Sequence, residues 1–71
     1  MAIDVILRCT LRDRRKAQGY SQRQLEAVSG VDRSRISAYE NNNVVMSIEV
    51  AAHFALILHC SLDDLYEYER E

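Results

Sequence analysis

Residues 21–40 read SQRQLEAVSGVDRSRISAYE. Two short helices are written here, separated by a glycine. Ser21 supplies an N-cap, and Gln24 three residues on completes a capping box, in which each side chain accepts the other residue's backbone N–H. A helix over about 22–29 follows. Gly30 ends it, because glycine enters the left-handed conformation at no steric cost. Asp32 opens a second helix over about 33–40, its carboxylate suited to the positive end of the helix. Asn41, Asn42 and Asn43 break that helix.

Two short helices joined by a glycine-containing turn make a helix-turn-helix, whose second helix can enter the major groove of DNA. On a wheel of residues 33–40, Ile36 and Tyr39 take the inner side, with Val31 just ahead of them. Arg33, Ser34 and Ser37 then point outward, and Asn41 sits near the exposed end. Arginine can bond two acceptors on guanine, and serine can bond most base edges or a phosphate. Gln22 opens the first of the two helices, where a side-chain amide and free backbone N–H groups meet phosphate oxygens. The competing reading of Arg33, Ser34 and Ser37 is a solvated face with phosphate contacts only. Arg35 stays open between a phosphate, an acidic partner and the edge of the groove. The candidate DNA-contacting set is Gln22, Arg33, Ser34, Arg35, Ser37, Asn41 and Asn43. The run RDRRK at 12–16 reads as a solvated helix face, with Arg12 or Lys16 as candidates for the phosphate backbone.

Outward from this pair, the pattern predicts three more helices. The first runs over about 3–17, with Leu7 and Leu11 four residues apart, and ends before Gly19. Ser47 caps a fourth over about 48–58. Ser61, with Asp64 three residues later, caps a short fifth through about Tyr66, and the tail YERE is expected to fray. The expected fold is all-α: a compact five-helix bundle in a single domain over 1–71, with its core at about 5–66. The absence of proline and the presence of only two glycines agree with helices. A chain of 71 residues buries only about 60 % of its unfolded surface, so a partner subunit would help it.

Several classes find no support. No apolar run approaches the ~20 residues of a membrane span, and MAIDVILRC lacks the apolar core of a signal peptide. Cys9 and Cys60 lack metal-type spacing, and a reduced, cytoplasmic protein with buried thiols is expected. His53, His59 and Cys60 fit no common zinc site. With no glycine-rich phosphate loop and no Ser/His/acid set, neither an enzyme, a cofactor nor a small-molecule ligand is expected. The net charge of −2 hides an asymmetry: residues 1–37 hold eight basic and four acidic residues, residues 38–71 one basic and seven acidic. A basic front with an acidic back suits a face that binds a polyanion.

The pattern SQxxL, GV, IS and E through residue 40, followed by SIE and SLDDL, resembles the phage-repressor-like helix-turn-helix family, the Cro and cI or XRE type. The likeness covers about residues 7–66. It implies a five-helix domain that binds operator DNA, usually as a symmetric dimer. It also implies that Gln22 contacts phosphate, that Arg33 and Ser34 read bases with Ser37 one turn along, and that Asn41 binds backbone. Arg15 and Glu40 match positions that form a buried ion pair in some members. The chain departs from the family at several places. Glu26 stands where alanine is usual, at the close approach of the two helices, and its carboxylate is expected to find Arg33 or Arg35. Ser29 and Arg14 replace larger apolar residues, VVM at 44–46 replaces a polar turn, and His59 replaces a glycine.

The fourth helix is apolar nearly all round. Ile48, Ala51, Ala52, Phe54, Ala55 and Leu58 share its core face, while Val50, His53, Leu56 and Ile57 point elsewhere. A homodimer interface is therefore expected at Val50, Leu56 and Ile57, with Tyr66, Tyr68, Val44 and Val45. The competing reading is that the tail folds back over them. The function expected is a bacterial or phage regulator of transcription, a repressor binding a palindromic operator in double-stranded DNA as a homodimer. Within that class stand controllers of restriction–modification operons and antitoxin-type autorepressors. Outside it stands a protein-interaction module whose basic face binds an acidic protein.

Overall fold

The computed structural model describes residues 5–70. Strand β1 (Val5–Cys9) leads into helices α1 (Leu11–Ala17), α2 (Gln22–Ser29), α3 (Arg33–Glu40) and α4 (Ile48–Leu58). A single 3-10 turn (Leu62–Leu65) then leads into strand β2 (Tyr66–Arg70).

Three of these boundaries correct the sequence reading. The chain is not all-α, and its described residues form four α-helices instead of five. The helix expected over 3–17 divides: residues 5–9 are a strand, α1 begins at Leu11, and residues 3 and 4 lie outside the described residues. The short fifth helix is a 3-10 turn. The tail expected to fray pairs instead with β1, antiparallel, in the register Val5↔Arg70, Leu7↔Tyr68 and Cys9↔Tyr66; Glu71 lies outside the described residues. The physical reason is written at both ends. Val5 and Ile6 are β-branched, and YEYER alternates with the two-residue period of a strand. A two-stranded ribbon is marginal alone, so its inner end must be anchored. The Cys9 N–H donates to Asn42 Oδ1 at 2.8 Å and the Thr10 N–H to the Leu65 carbonyl at 2.8 Å. Cys9 is buried, and Tyr66 packs against the core.

The helices start and stop where their caps lie. In the Ser21 box, Gln24 N–H donates to Ser21 Oγ at 3.0 Å and Ser21 N–H to Gln24 Oε1 at 2.7 Å. Gly30 ends α2 at φ +74°. Ser47 Oγ accepts from Val50 N–H at 3.2 Å, and Ser61 N–H donates to Asp64 Oδ2 at 3.0 Å. His59 ends α4 at φ +56°, a left-handed conformation that costs a side-chain-bearing residue about 1–2 kcal/mol. His59→Gly is therefore expected to stabilise the domain by about 0.5–1 kcal/mol after the extra chain entropy of glycine, or a few degrees in Tm. Thermal melts of the two proteins check it, and a lower Tm for the variant refutes it.

The core sits between α4 and the other three helices. Phe54, Leu11, Leu25, Ile36, Leu58 and Leu65 are fully buried, and Tyr39 meets Phe54 edge-on with ring centroids 6.4 Å apart. Ile48, expected on this core face, is instead 77 % exposed. It is the first residue of α4, and helical side chains lean toward the N-terminus, so it overhangs the rim of the core. Among the described residues no helix is long and apolar enough to cross a membrane.

Candidate nucleic-acid interface

One carboxylate organises this face. The side chain of Glu40, at the last turn of α3, has no exposed surface. Arg15 of α1 grips it with two bonds, Nε to Oε2 at 2.7 Å and Nη2 to Oε1 at 3.1 Å. Gln22, the first residue of α2, donates Nε2 to Oε1 at 3.1 Å, and Arg12 approaches the same oxygen at 3.4 Å. Arg15 Nη1 also donates to the Tyr20 carbonyl at 2.9 Å, just ahead of α2. Three helices are thus pinned by one buried charge and its donors. Burial pushes the Glu40 carboxyl up, but the hydrogen bonds from Arg15 and Gln22 and the Arg15 charge outweigh it, so the group titrates below its ordinary value.

Ahead of this brace, α2 and the start of α3 border an open groove of about 550 Å³. Gln22, Arg23, Glu26, Asp32, Arg33, Ser34 and Ser37 line it. The start of α3 is capped in an unexpected way. Asp32 stands at the N-cap position but makes no side-chain bond to the backbone; its Oδ2 accepts from the Ser34 hydroxyl. The cap comes from α2 instead: Glu26 Oε2 accepts the Arg33 backbone N–H at 2.7 Å. Glu26 thus meets the backbone of Arg33 and not an arginine side chain, because a free helix N–H lies closer to its short reach. This leaves both nearby guanidinium groups uncommitted. Among the described residues Arg23, Arg33 and Arg35 hold no ion pair.

The remaining residues singled out in the sequence fall into two groups. Arg33, Ser34 and Arg35 are exposed on α3, with Ser37 half-buried one turn on. Gln22 is half-buried, one of its two amide hydrogens committed to Glu40. Asn41 is held at both ends: Arg12 Nη2 donates to its Oδ1 at 3.1 Å, and its Nδ2 donates to the Ser37 carbonyl at 2.9 Å and Ser37 Oγ at 3.2 Å. Asn43 is exposed, its N–H bonded to the Ala38 carbonyl at 2.9 Å. Lys16 is exposed on α1.

Away from this face, Val50, Ile57 and Tyr66 pack half-buried against the core, while Leu56 and Tyr68 stand exposed. A second, apolar concavity of about 290 Å³ is bordered by Leu7, Val45, Met46, Ile48, Ala51, Leu62 and Tyr66. His53 donates from Nε2 to the Ser29 carbonyl at 2.7 Å, pinning α4 to the end of α2. Among the described residues no three His, Cys, Asp or Glu side chains group as metal ligands.

Sequence reasoning missed Arg23 and the apolar concavity. Arg23 was legible in principle, as the residue beside Gln22 on the outer side of α2. The concavity was not, because it needs β1 and the 3-10 turn placed beside α4.

Compared with known families, residues 11–65 match the helix-turn-helix family model. No curated protein matches the chain at a significant level.

Proposed function

Because the chain belongs to the phage-repressor-like helix-turn-helix family of DNA-binding transcription regulators, we propose that it is a repressor that binds a palindromic operator as a homodimer. The observation that carries this reading is the outer face of α3. Arg33, Ser34 and Ser37 line one groove, on a helix whose far end is braced through Glu40. A helix held this firmly presents its side chains to base edges without further ordering, so less binding free energy is lost to immobilising them. Gln22 keeps one amide hydrogen for a phosphate, and the first turn of α2 offers its free backbone N–H groups beside it. Bound to operator, each α3 lies in a major groove, the two half-sites about 34–36 Å apart. Occupancy itself then excludes polymerase.

Protection of a symmetric site upstream of the protein's own gene, in a footprint at low salt, tests the reading. No protection there, with an acidic protein recovered in its place, overturns it. Arg33→Ala is expected to cost about 1–3 kcal/mol of operator binding and relax the preference at one base position. Gln22→Ala weakens all sequences about equally. Gel-shift titration on base-substituted duplexes separates the two patterns.

The exposed apolar rim supports the homodimer. Leu7, Val45, Ile48 and Leu62 surround the second concavity, and Tyr68 stands beyond it on β2, itself 75 % exposed. A patch of this kind is unusual on a small monomer and is covered by a second copy here. Ile48→Glu is expected to shift the protein from dimer to monomer in sedimentation at tens of micromolar. A wild-type protein that sediments as a monomer there removes the dimer from the proposal.

A further inference from the structure

The ribbon has two free edges, and they are not alike. Two bonds at its base show which way its backbone groups point. Thr10 N–H donates to the Leu65 carbonyl, so by alternation Arg8 and Ile6 turn their backbone groups toward β2. Cys9 N–H donates instead to Asn42 Oδ1, on the side away from β2. Leu7 and Val5 share that sense, so each turns its N–H and its carbonyl outward. Among the described residues these groups take no hydrogen bond. Val5, Ile6 and Leu7 are also exposed, each by nearly half. An edge with open backbone groups and apolar side chains is a template for another strand.

Resting on the homodimer reading above, we propose that two copies join through β1, paired antiparallel about a two-fold axis at Ile6. In this register Val5 of one copy lies opposite Leu7 of the other, and the two exchange both backbone bonds. The axis repeats the exchange, so every outward group of Val5 and Leu7 finds a partner. The neighbouring registers do worse. An axis at Leu7 sets Val5 against Cys9, whose N–H Asn42 already holds. An axis at Val5 carries Leu7 past Val5, the first residue of the other copy's β1.

The β2 edge is closed to the same pairing by charge. Tyr66 and Tyr68 face outward there, and any antiparallel register that spans the strand sets Glu67 or Glu69 against a glutamate of the second copy. Pairing β1 of one copy with β2 of the next is heterologous and does not close at two copies. The β1 pairing closes, and it joins two two-stranded ribbons into one sheet of four strands. That supplies what a two-stranded ribbon lacks, since three or more strands with an apolar face are needed for stability. Val5, Leu7 and Tyr68 share one face of the ribbon. Val5 of the second copy therefore falls beside Leu7, at the border of the apolar concavity.

Two variants test the pairing. Leu7→Pro removes an outward N–H and spares the bonds between β1 and β2, because proline is tolerated where a strand edge faces solvent. It is expected to sediment as a monomer at tens of micromolar, with the helical circular dichroism of the wild type. The second variant reads the register. At the axis Ile6 meets Ile6 of the second copy in a non-hydrogen-bonded pair, with Cα atoms about 4.5 Å apart and within disulfide reach. Under mild oxidation Ile6→Cys is expected to form a disulfide-linked dimer at least about tenfold faster than Glu69→Cys, the dimer holding its thiols at a high effective concentration. Glu69 is also exposed and stands across from Ile6, but one strand farther from the axis. The wild type, with Cys9 and Cys60, gives the background. Leu7→Pro that stays folded and dimeric overturns the pairing, as does equal crosslinking of the two cysteine variants. Where proline unfolds the ribbon, the crosslinking rates decide alone. Either failure in a dimeric wild type leaves the homodimer standing on another surface, while a monomeric wild type removes both.

Discussion

Glu40→Ala is expected to destabilise the domain by about 3–5 kcal/mol, a large part of the total stability of a chain this small. The contact itself is not worth that much. The cost arises because Arg15, also buried, is left charged with no counter-charge, while Gln22 and Arg12 lose their acceptor. The companion variant separates the two ideas. Arg15→Met with Glu40→Leu removes both charges and fills the space, and it is expected to recover most of the loss, since an apolar pair of similar volume is often as stable as a buried ion pair. Urea denaturation of the two single variants and the double variant measures this, and additive losses refute it. Acid acts on the same bond. The Glu40 carboxyl titrates lower in the folded chain than its ordinary value of 4.5. Its contribution is therefore fully present above pH 4.5 and lost as pH falls through the folded value. Glu40→Gln removes that component of the acid transition.

How much of this was legible beforehand depended on whether a residue's role is local. Ser21 with Gln24, Gly30, Ser47 and Ser61 act on backbone groups within a few residues, and both ends of α2, the start of α4 and the start of the 3-10 turn follow from them. The strands were not legible from either end alone. Val5–Cys9 becomes a strand only because Tyr66–Arg70 lies beside it, and nothing in residues 5–9 announces a partner some sixty residues away. The spacing of Leu7 and Leu11 suggested one helix, yet Leu11 is in the core and Leu7 is exposed on the ribbon. The groove shows the same division. That Arg33, Ser34 and Ser37 share a face follows from the helical period. That Glu26 supplies the α3 cap while Asp32 turns to Ser34 depends on the angle between two helices, which the sequence does not display. Glu26 in place of a small residue was the one visible hint that this junction is built differently.

Operator affinity is expected to fall about a thousandfold between about 50 and about 200 mM salt. The size follows from the free cations. Lys16, Arg23 and Arg35 are exposed, and among the described residues none of the three holds an ion pair. Arg12 and Arg14 are committed, to Glu40 and to Asp64. Two protomers thus offer about six phosphate contacts, and each neutralised phosphate contributes a log–log slope near −0.9, for a total near −5. Residues 38–71, with one basic residue against seven acidic, repel the duplex and so confine it to the face of α2 and α3. Arg23→Ala removes one cation from each protomer and is expected to flatten the slope by about 2, whatever the operator sequence. Arg33→Ala, by contrast, changes the preference at one base position and alters the slope less. Fluorescence anisotropy across a salt series gives both numbers. A slope near zero for the wild type means that the face does not bind a polyanion, and the DNA reading of Arg33, Ser34 and Ser37 falls with it.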